Sequence, residues 1–253
     1  MSIISLAKHS IEKLNIYIIT AKTEYRDKTF MPIQASDISS ISDYLKTQNP
    51  LNSIQLIDIT NKFNAAPAKA NLGTRFTPMC MLRLYADTIE MIPDKILYLD
   101  CDVICKKDFS IFYNRDINDY ELCGVLDRYG KWFFKKNPFK FDYINSGVLL
   151  LNMKKIRETK LFEKCRHKCS TKKMFMPDQS AINKKCKYKF IVDNKYNEQN
   201  KDRQDTVFRH FTTRLKFFPY FKSVTVKPWN LEKMHSVLKS FEYDELYFTS
   251  LKI

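Results

Sequence analysis

Glycine is scarce in this chain of 253 residues: Gly73, Gly124, Gly130 and Gly147 are all it has, against roughly 7% in an average protein. No pair of them has the spacing of a dinucleotide fingerprint. Gly124 and Gly130-Lys131 stand one residue too far apart for a phosphate loop, and no Ser or Thr follows the lysine. A Gly-rich cradle is excluded, so any phosphate must be held by side chains or a metal. Long apolar runs are also lacking. Nothing approaches the ~18 residues of a membrane span, and Met1 to Lys13 carries lysines and a histidine where a signal peptide needs unbroken apolar sequence. The seven cysteines form no CxxC pair. Cys101, Cys105, Cys165 and Cys169 show x3 spacings, which reads as reduced thiols in a cytoplasmic protein rather than a zinc site or redox dithiol.

With 44% of positions apolar and 28% charged, the chain can bury the core of one large domain. Its 43 Lys and Arg against 28 Asp and Glu leave a formal charge of +15, which favours an anionic partner: nucleic acid, an acidic membrane surface or a phosphorylated substrate.

Apolar spacing predicts a helix over Ser2 to Ile11, then a strand from Asn15 to Thr20. A second helix starts at Ser36 or Asp37 and carries Ile38, Ile41 and Leu45, before a strand from Ser53 to Ile59. A third round places a helix from about Pro78 to Met91 ahead of the strand Lys95 to Leu99. Such alternation argues for an α/β layered domain with a mainly parallel sheet. Tyr120 to Leu126 and Ile144 to Asn152 read as further strands, the latter passing into a basic helix through Cys169. That helix puts Ile156, Phe162, Cys165 and Cys169 on one face. From Lys187 onward aromatic and basic residues dominate, with a short helix near Leu231 to Leu238.

The sharpest local feature is Leu97-Tyr98-Leu99-Asp100-Cys101-Asp102-Val103. Two carboxylates leave the end of an apolar strand, where open α/β sheets bind ligands. Residues two apart in a strand point to the same side, so Asp100 and Asp102 can share a hard cation that bridges a diphosphate. A strand-end turn with both acids facing water fits the triplet about as well. A phosphatase of the haloacid dehalogenase type also places aspartates after an apolar strand, but it needs a later pair of adjacent carboxylates. No Asp-Asp or Glu-Asp dipeptide occurs in this sequence.

Further landmarks follow in order: Leu82-Arg83-Leu84, the strand with Asp100 and Asp102, Asn145-Ser146-Gly147-Val148, Asp178-Gln179 through Asn183, His210, and Lys227-Pro228-Trp229. In this ordered set, from about Met1 to Trp229, the sequence resembles glycosyltransferase family 8, the retaining enzymes that include bacterial lipopolysaccharide galactosyl- and glucosyltransferases. The resemblance implies an α/β, Rossmann-like nucleotide-diphospho-sugar transferase fold of the GT-A type, with a mainly parallel mixed sheet flanked by helices. It implies that Asp100, Asp102 and His210 hold Mn2+, with Mg2+ as the alternative, against the diphosphate of a UDP-hexose donor. Arg83, Asp100, Cys101, Asn145, Ser146 and Lys227 become donor-binding, and Asp127, Asp178 and Gln179 catalytic. Gln179 would lie nearest the anomeric carbon. A neutral amide is a poor nucleophile, which favours same-face substitution over a covalent intermediate.

The same resemblance divides the chain into a catalytic part, 1–209, and a basic, aromatic extension, 210–253, that completes the site. The acceptor implied is a saccharide or glycolipid. The tail from Arg214 through Trp229, with Phe217, Phe218 and Phe221, suits peripheral contact with an anionic membrane as well as ordinary packing. Nucleic acid is the disfavoured partner. Two departures stand out. The family begins with a strand and an acidic loop that hold the base and ribose, and Met1 falls after them, which suggests weakened donor binding or a catalytically impaired relic or binding module of that family. Phe211 to Val226 is also long and free of glycine where the family has a short Gly-containing link.

Overall fold

A computed structural model describes residues 1–25, 28–72, 78–130, 142–216, 220 and 222–253. The chain opens with helix α1 (Ser2–His9), then strand β1 (Asn15–Thr20) and a hairpin of β2 (Thr23–Tyr25) with β3 (Lys28–Phe30). Helix α2 (Ala35–Gln48) starts at a capping box: Gln34 is the cap, and the Asp37 carboxylate accepts the Gln34 backbone N–H at 2.7 Å. Strand β4 (Ser53–Asp58) and helix α3 (Thr60–Ala65) follow, and β4 pairs parallel with β1. The predicted third helix is a 3-10 helix, Pro78–Thr88, with Met81, Leu82 and Tyr85 buried in the core.

Strands β5 (Lys95–Leu99), β6 (Val103–Cys105), β7 (Leu122–Leu126), β8 (Ile144–Asn152) and β9 (Lys189–Val192) complete the first 192 residues. The main sheet has the order β5-β8-β7-β9. Here β8 runs antiparallel to β5 and to β7, while β7 and β9 are parallel. The sheet is therefore mixed, with a larger antiparallel share than helix–strand alternation suggested, because β8 reverses between its neighbours. The basic helix expected after β8 is two helices, Met153–Thr159 and Leu161–Thr171. They are broken at Lys160, whose φ of 54° lies in the left-handed region. Ile156, Phe162, Cys165 and Cys169 nonetheless share one core cluster. All seven cysteines are free thiols, and burial pushes Cys105 and Cys123 up to about 12. Strand β10 (Phe208–His210) pairs antiparallel with β6, and the helix Asp244–Lys252 closes the chain. The tail residues Phe217, Phe218 and Phe221 lie outside the described residues.

The pair β1–β4 and the main sheet are separate, yet they share their faces. Tyr17 and Ile19 of β1 pack on the same cluster as Ile96 and Tyr98 of β5 and Leu149 and Leu151 of β8. Every residue of β1 and β5 also lines one cavity of about 2360 Å³, which reaches Met1 at one side and Asp100 at one end. None of the five residues of β5 is buried, whereas eight of the nine in β8 are. Among the described residues β1 pairs only with β4 and β5 only with β8, so each leaves one edge on this cavity.

Hydrogen exchange follows from this edge. Amides of β5 whose N–H points into the cavity should exchange at least ~10-fold faster than those of β8, which is paired on both sides. Equal protection of β5 and β8 in a native-state exchange experiment would contradict the open edge.

Candidate active site

Strand β5 ends at Asp100, where the chain turns: the Asp100 N–H donates to the Gly147 carbonyl at 2.8 Å and the Val103 N–H to the Asp100 carbonyl at 3.1 Å. This turn carries Asp102 into β6, whose partner β10 presents His210 opposite Val103. Cross-strand pairing therefore brings an imidazole to two carboxylates that are more than a hundred residues away in sequence. His210 Nε2 lies 3.3 Å from Asp102 Oδ1 and 3.8 Å from Asp100 Oδ2. One ligand atom from each of the three falls within 4.8 Å of the others. Gly147 makes room for the ring, since a Cβ there would stand 2.0 Å from His210 Cε1.

The orientation of the ring is set from behind. Asn197 Nδ2 donates to Asn145 Oδ1 at 2.9 Å, so Asn197 Oδ1 faces His210 Nδ1 at 3.0 Å. With Nδ1 donating there, Nε2 is the nitrogen turned toward the acids. The network continues, as Asn145 Nδ2 donates to Asp127 Oδ2 at 3.0 Å and Gln179 Nε2 donates to the same oxygen at 3.1 Å. The Ser146 N–H donates to Gln179 Oε1 at 2.9 Å, which fixes both ends of that amide.

Arg83 anchors the other flank from the 3-10 helix. Its guanidinium contacts Asp100 Oδ1 at 2.7 Å and Asp178 Oδ2 at 3.2 Å, and donates to the Ser146 carbonyl at 2.6 Å. It also lies 4.3 Å over the ring of Tyr98, whose hydroxyl donates to Asp100 Oδ1 at 2.7 Å. Burial would lower the basicity of Arg83, but Asp100, Tyr98 and Asp178 outweigh it and keep the group firmly charged. Burial raises the Asp178 carboxyl, with Arg83 opposing. Asp102 goes the other way. Burial pushes it up, yet the hydrogen bond and charge of His210 and the Lys227 ammonium outweigh that and hold it well below the usual carboxylate range. Lys227 Nζ is in direct contact with Asp102 Oδ2 and donates to the Phe211 carbonyl at 3.1 Å.

All eleven residues singled out from the sequence lie around this one centre, in two layers. Arg83, Asp100, Cys101, Asp102, Asp127, Asn145, His210 and Lys227 line the large cavity. Ser146, Asp178 and Gln179 are buried and do not line it; they brace Arg83, Asp127 and each other from behind. Sequence reasoning missed Asn197 and Tyr98. Tyr98 could have been found, since it stands two residues before Asp100 and so points to the same side of β5. No signal marks Asn197, an amide in an irregular segment.

Two outcomes follow. Gly147→Ala should lower stability by about 1–3 kcal/mol, because the added methyl displaces the His210 ring; a urea melt indistinguishable from the parent would contradict the close approach. The depressed Asp102 carboxyl contributes stability above its unfolded value near ~3.9 and loses it as pH falls further toward the folded value. The urea midpoint should therefore fall less steeply in Asp102→Asn than in the parent as pH drops below about 4. Parallel profiles would remove Asp102 as a source of acid sensitivity.

A family model described as Glycosyl transferase family 8 matches residues 1–233. A putative glycosyltransferase of Haemophilus influenzae is 27% identical over 218 residues, covering 80% of this chain and 60% of that protein. A lipopolysaccharide 1,2-glucosyltransferase of Escherichia coli is 24% identical over 190 residues, covering 61% and 56%. The matches thus span somewhat more than half the length of these curated relatives. Among solved structures, galactosyltransferase LgtC in complex with donor and acceptor sugar analogs matches with a TM-score of 0.63 at 16% identity, covering 93% of this chain and 96% of that one. GlyE of Streptococcus pneumoniae matches at 0.60 and 18%, covering 98% and 59%. These likenesses place the fold in the GT-A type. Matched by its family model over nearly its whole length, the chain belongs to glycosyl transferase family 8.

Proposed function

We propose that this chain is the catalytic part of a retaining, metal-dependent glycosyltransferase that moves a hexose, glucose or galactose, from a UDP-sugar to a saccharide acceptor such as lipopolysaccharide or another surface glycan. The observation that carries the reading is the convergence of Asp100, Asp102 and His210 Nε2 at the end of β5. Two carboxylates and an imidazole with its far nitrogen already engaged are a donor set that fits Mn2+, with Mg2+ as the alternative. A divalent ion held by these residues would supply positive charge against a departing diphosphate.

The protein's own groups divide the remaining work. Lys227, in contact with Asp102, would offer its ammonium to a phosphate oxygen of the donor. Arg83 holds Asp100 so that its second oxygen stays free toward the cation. Asp127 lines the cavity and offers a carboxylate to sugar hydroxyls, and its negative charge favours an oxocarbenium-like ring. Gln179 lies behind Asp127 with both amide ends engaged. That arrangement suits a group that positions Asp127, and it favours same-face substitution over attack by the amide. Asp178 acts likewise through Arg83.

In this reading residues 1–209 carry the nucleotide-sugar site and 210–253 complete it through His210 and Lys227. No helix among the described residues is long and apolar enough to cross a membrane. Exposed Tyr220, Trp229, Phe241 and Phe248 in the basic C-terminal part support peripheral contact with an anionic inner membrane surface from the cytoplasm.

Mn2+ titration followed by electron paramagnetic resonance, with UDP-hexose turnover alongside, tests the assignment. Asp102→Asn and His210→Ala should abolish Mn2+ binding, and Asn197→Ala should weaken it by about 10–100-fold. Turnover unaffected by EDTA, or release of phosphate from simple esters with no action on UDP-hexoses, would overturn the reading.

A further inference from the structure

A second pocket, of about 310 Å³, lies under the segment from Leu238 to Tyr243 and is lined by Lys201, Asp202, Arg209, Phe211 and Arg214 from the neighbouring loop and strand. Arg209 and His210 are consecutive in β10, so their side chains leave opposite faces of the strand. His210 turns to the metal-ligand cluster and Arg209 to this pocket. Residues on the pocket wall include four cations, Lys201, Arg209, Arg214 and Lys239, against two carboxylates, Asp202 and Glu242.

The polar groups here are incompletely used. Arg209 is 2% exposed, and its two terminal nitrogens donate to the carbonyls of Glu198 and Asn200 at 2.8 and 2.7 Å. Its Nε is buried with no hydrogen-bond partner among the described residues, and Ser240 Oγ is in the same condition. Arg209 Nε stands 3.6 Å from Asp202 Oδ2, beyond hydrogen-bond reach. Arg214 donates to the same Asn200 carbonyl as Arg209, so two guanidinium groups converge on one neutral oxygen. Burial depresses the basicity of Arg214, and the charges of Arg209 and Arg128 add to it. Glu242 pairs with Lys106 at 2.6 Å, while Asp202 accepts from the Tyr243 hydroxyl on Oδ2 at 2.8 Å and its buried Oδ1, 3.2 Å from Lys106 Nζ, has no hydrogen-bond partner among the described residues. Lys201, Arg214 and Lys239 have no ion-pair partner among the described residues.

We propose that this pocket binds a hexose phosphate, its phosphate held by Arg214, Lys201 and Lys239 and its hydroxyls by Asp202 and Ser240, with the ring against Phe241. A phosphate dianion would separate the two converging guanidinium charges and give Arg214 the bidentate acceptor it lacks. The pocket is at the lower limit of small-molecule sites, ~300–1,000 Å³, and too roomy for phosphate alone. Phe241 is 61% exposed and stacks on His235 at 4.4 Å, which offers a flat apolar wall to a sugar face. The site is separate from the metal-ligand cluster and requires no turnover, so it stands or falls independently of the transferase reading.

Calorimetric titration of the full chain with glucose 6-phosphate and with inorganic phosphate, in the absence of divalent metal, tests the site. Glucose 6-phosphate should bind saturably and more tightly than phosphate. Arg214→Gln and Lys239→Ala, both on side chains outside the core, should each weaken it by about 10-fold, whereas Lys173→Ala should leave it unchanged. Equal affinity for the two ligands would overturn the sugar contact. Binding that survives both substitutions, that UDP displaces, or that occurs only with phosphatidylglycerol vesicles would overturn the site.

Discussion

The structure around the cavity depends on one constraint: Asp100, Asp102 and Asp178 are crowded at the end of β5, the last two of them buried, and their charges must be offset there. Isolated buried carboxylates would each cost several kcal/mol, whereas carboxylates with a fixed counter-charge can stay ionised. Arg83 meets the requirement for two of the three acids, since it spans Asp100 and Asp178 and also takes the Ser146 carbonyl. That single side chain ties the 3-10 helix to the end of β5, the start of β8 and the helix Pro177–Lys185. A lysine could not do this, because only the planar guanidinium offers several donors at fixed angles. Asp102 is left to His210 and Lys227. It is therefore the acid whose counter-charge comes from residues after 209, and the site is incomplete without that part of the chain.

A second requirement is orientation. An imidazole can present either nitrogen, and the choice here follows from Asn197, whose own amide is fixed by Asn145. Because Asn145 is in turn bonded to Asp127, and Asp127 to Gln179, His210 and the Asp127–Gln179 pair belong to one hydrogen-bonded unit. Gly147 completes it by letting the ring approach β8 more closely than any side chain would allow.

Much of this was legible in the sequence because it is written in local patterns. Strands β1, β5 and β8 fall where short apolar runs bounded by polar residues place them. Features set by tertiary contacts were not legible. The break at Lys160 leaves the apolar spacing intact on both sides, so periodicity passes through it. The pairing of β6 with β10 joins two strands of three residues, each too short to show a period. The helix Asp244–Lys252 has no buried residue in it and hence no apolar stripe to read. Asn197 carries no chemistry of its own and gains its role only from where its loop lies.

That loop links the two pockets. Residues 197–202 run from Asn197, which orients His210, to Lys201 and Asp202, which line the second pocket. The Glu198 and Asn200 carbonyls accept from Arg209, and the His210 N–H donates to the Glu198 carbonyl at 2.9 Å. Strand β10 is thus held to the loop by contacts from both of its faces. The charge excess around Arg209 and Arg214 is consequently not a surface detail. It bears on the backbone that sets the His210 ring, and a bound anion that offsets it would stabilise the placement of that ring beside Asp100 and Asp102.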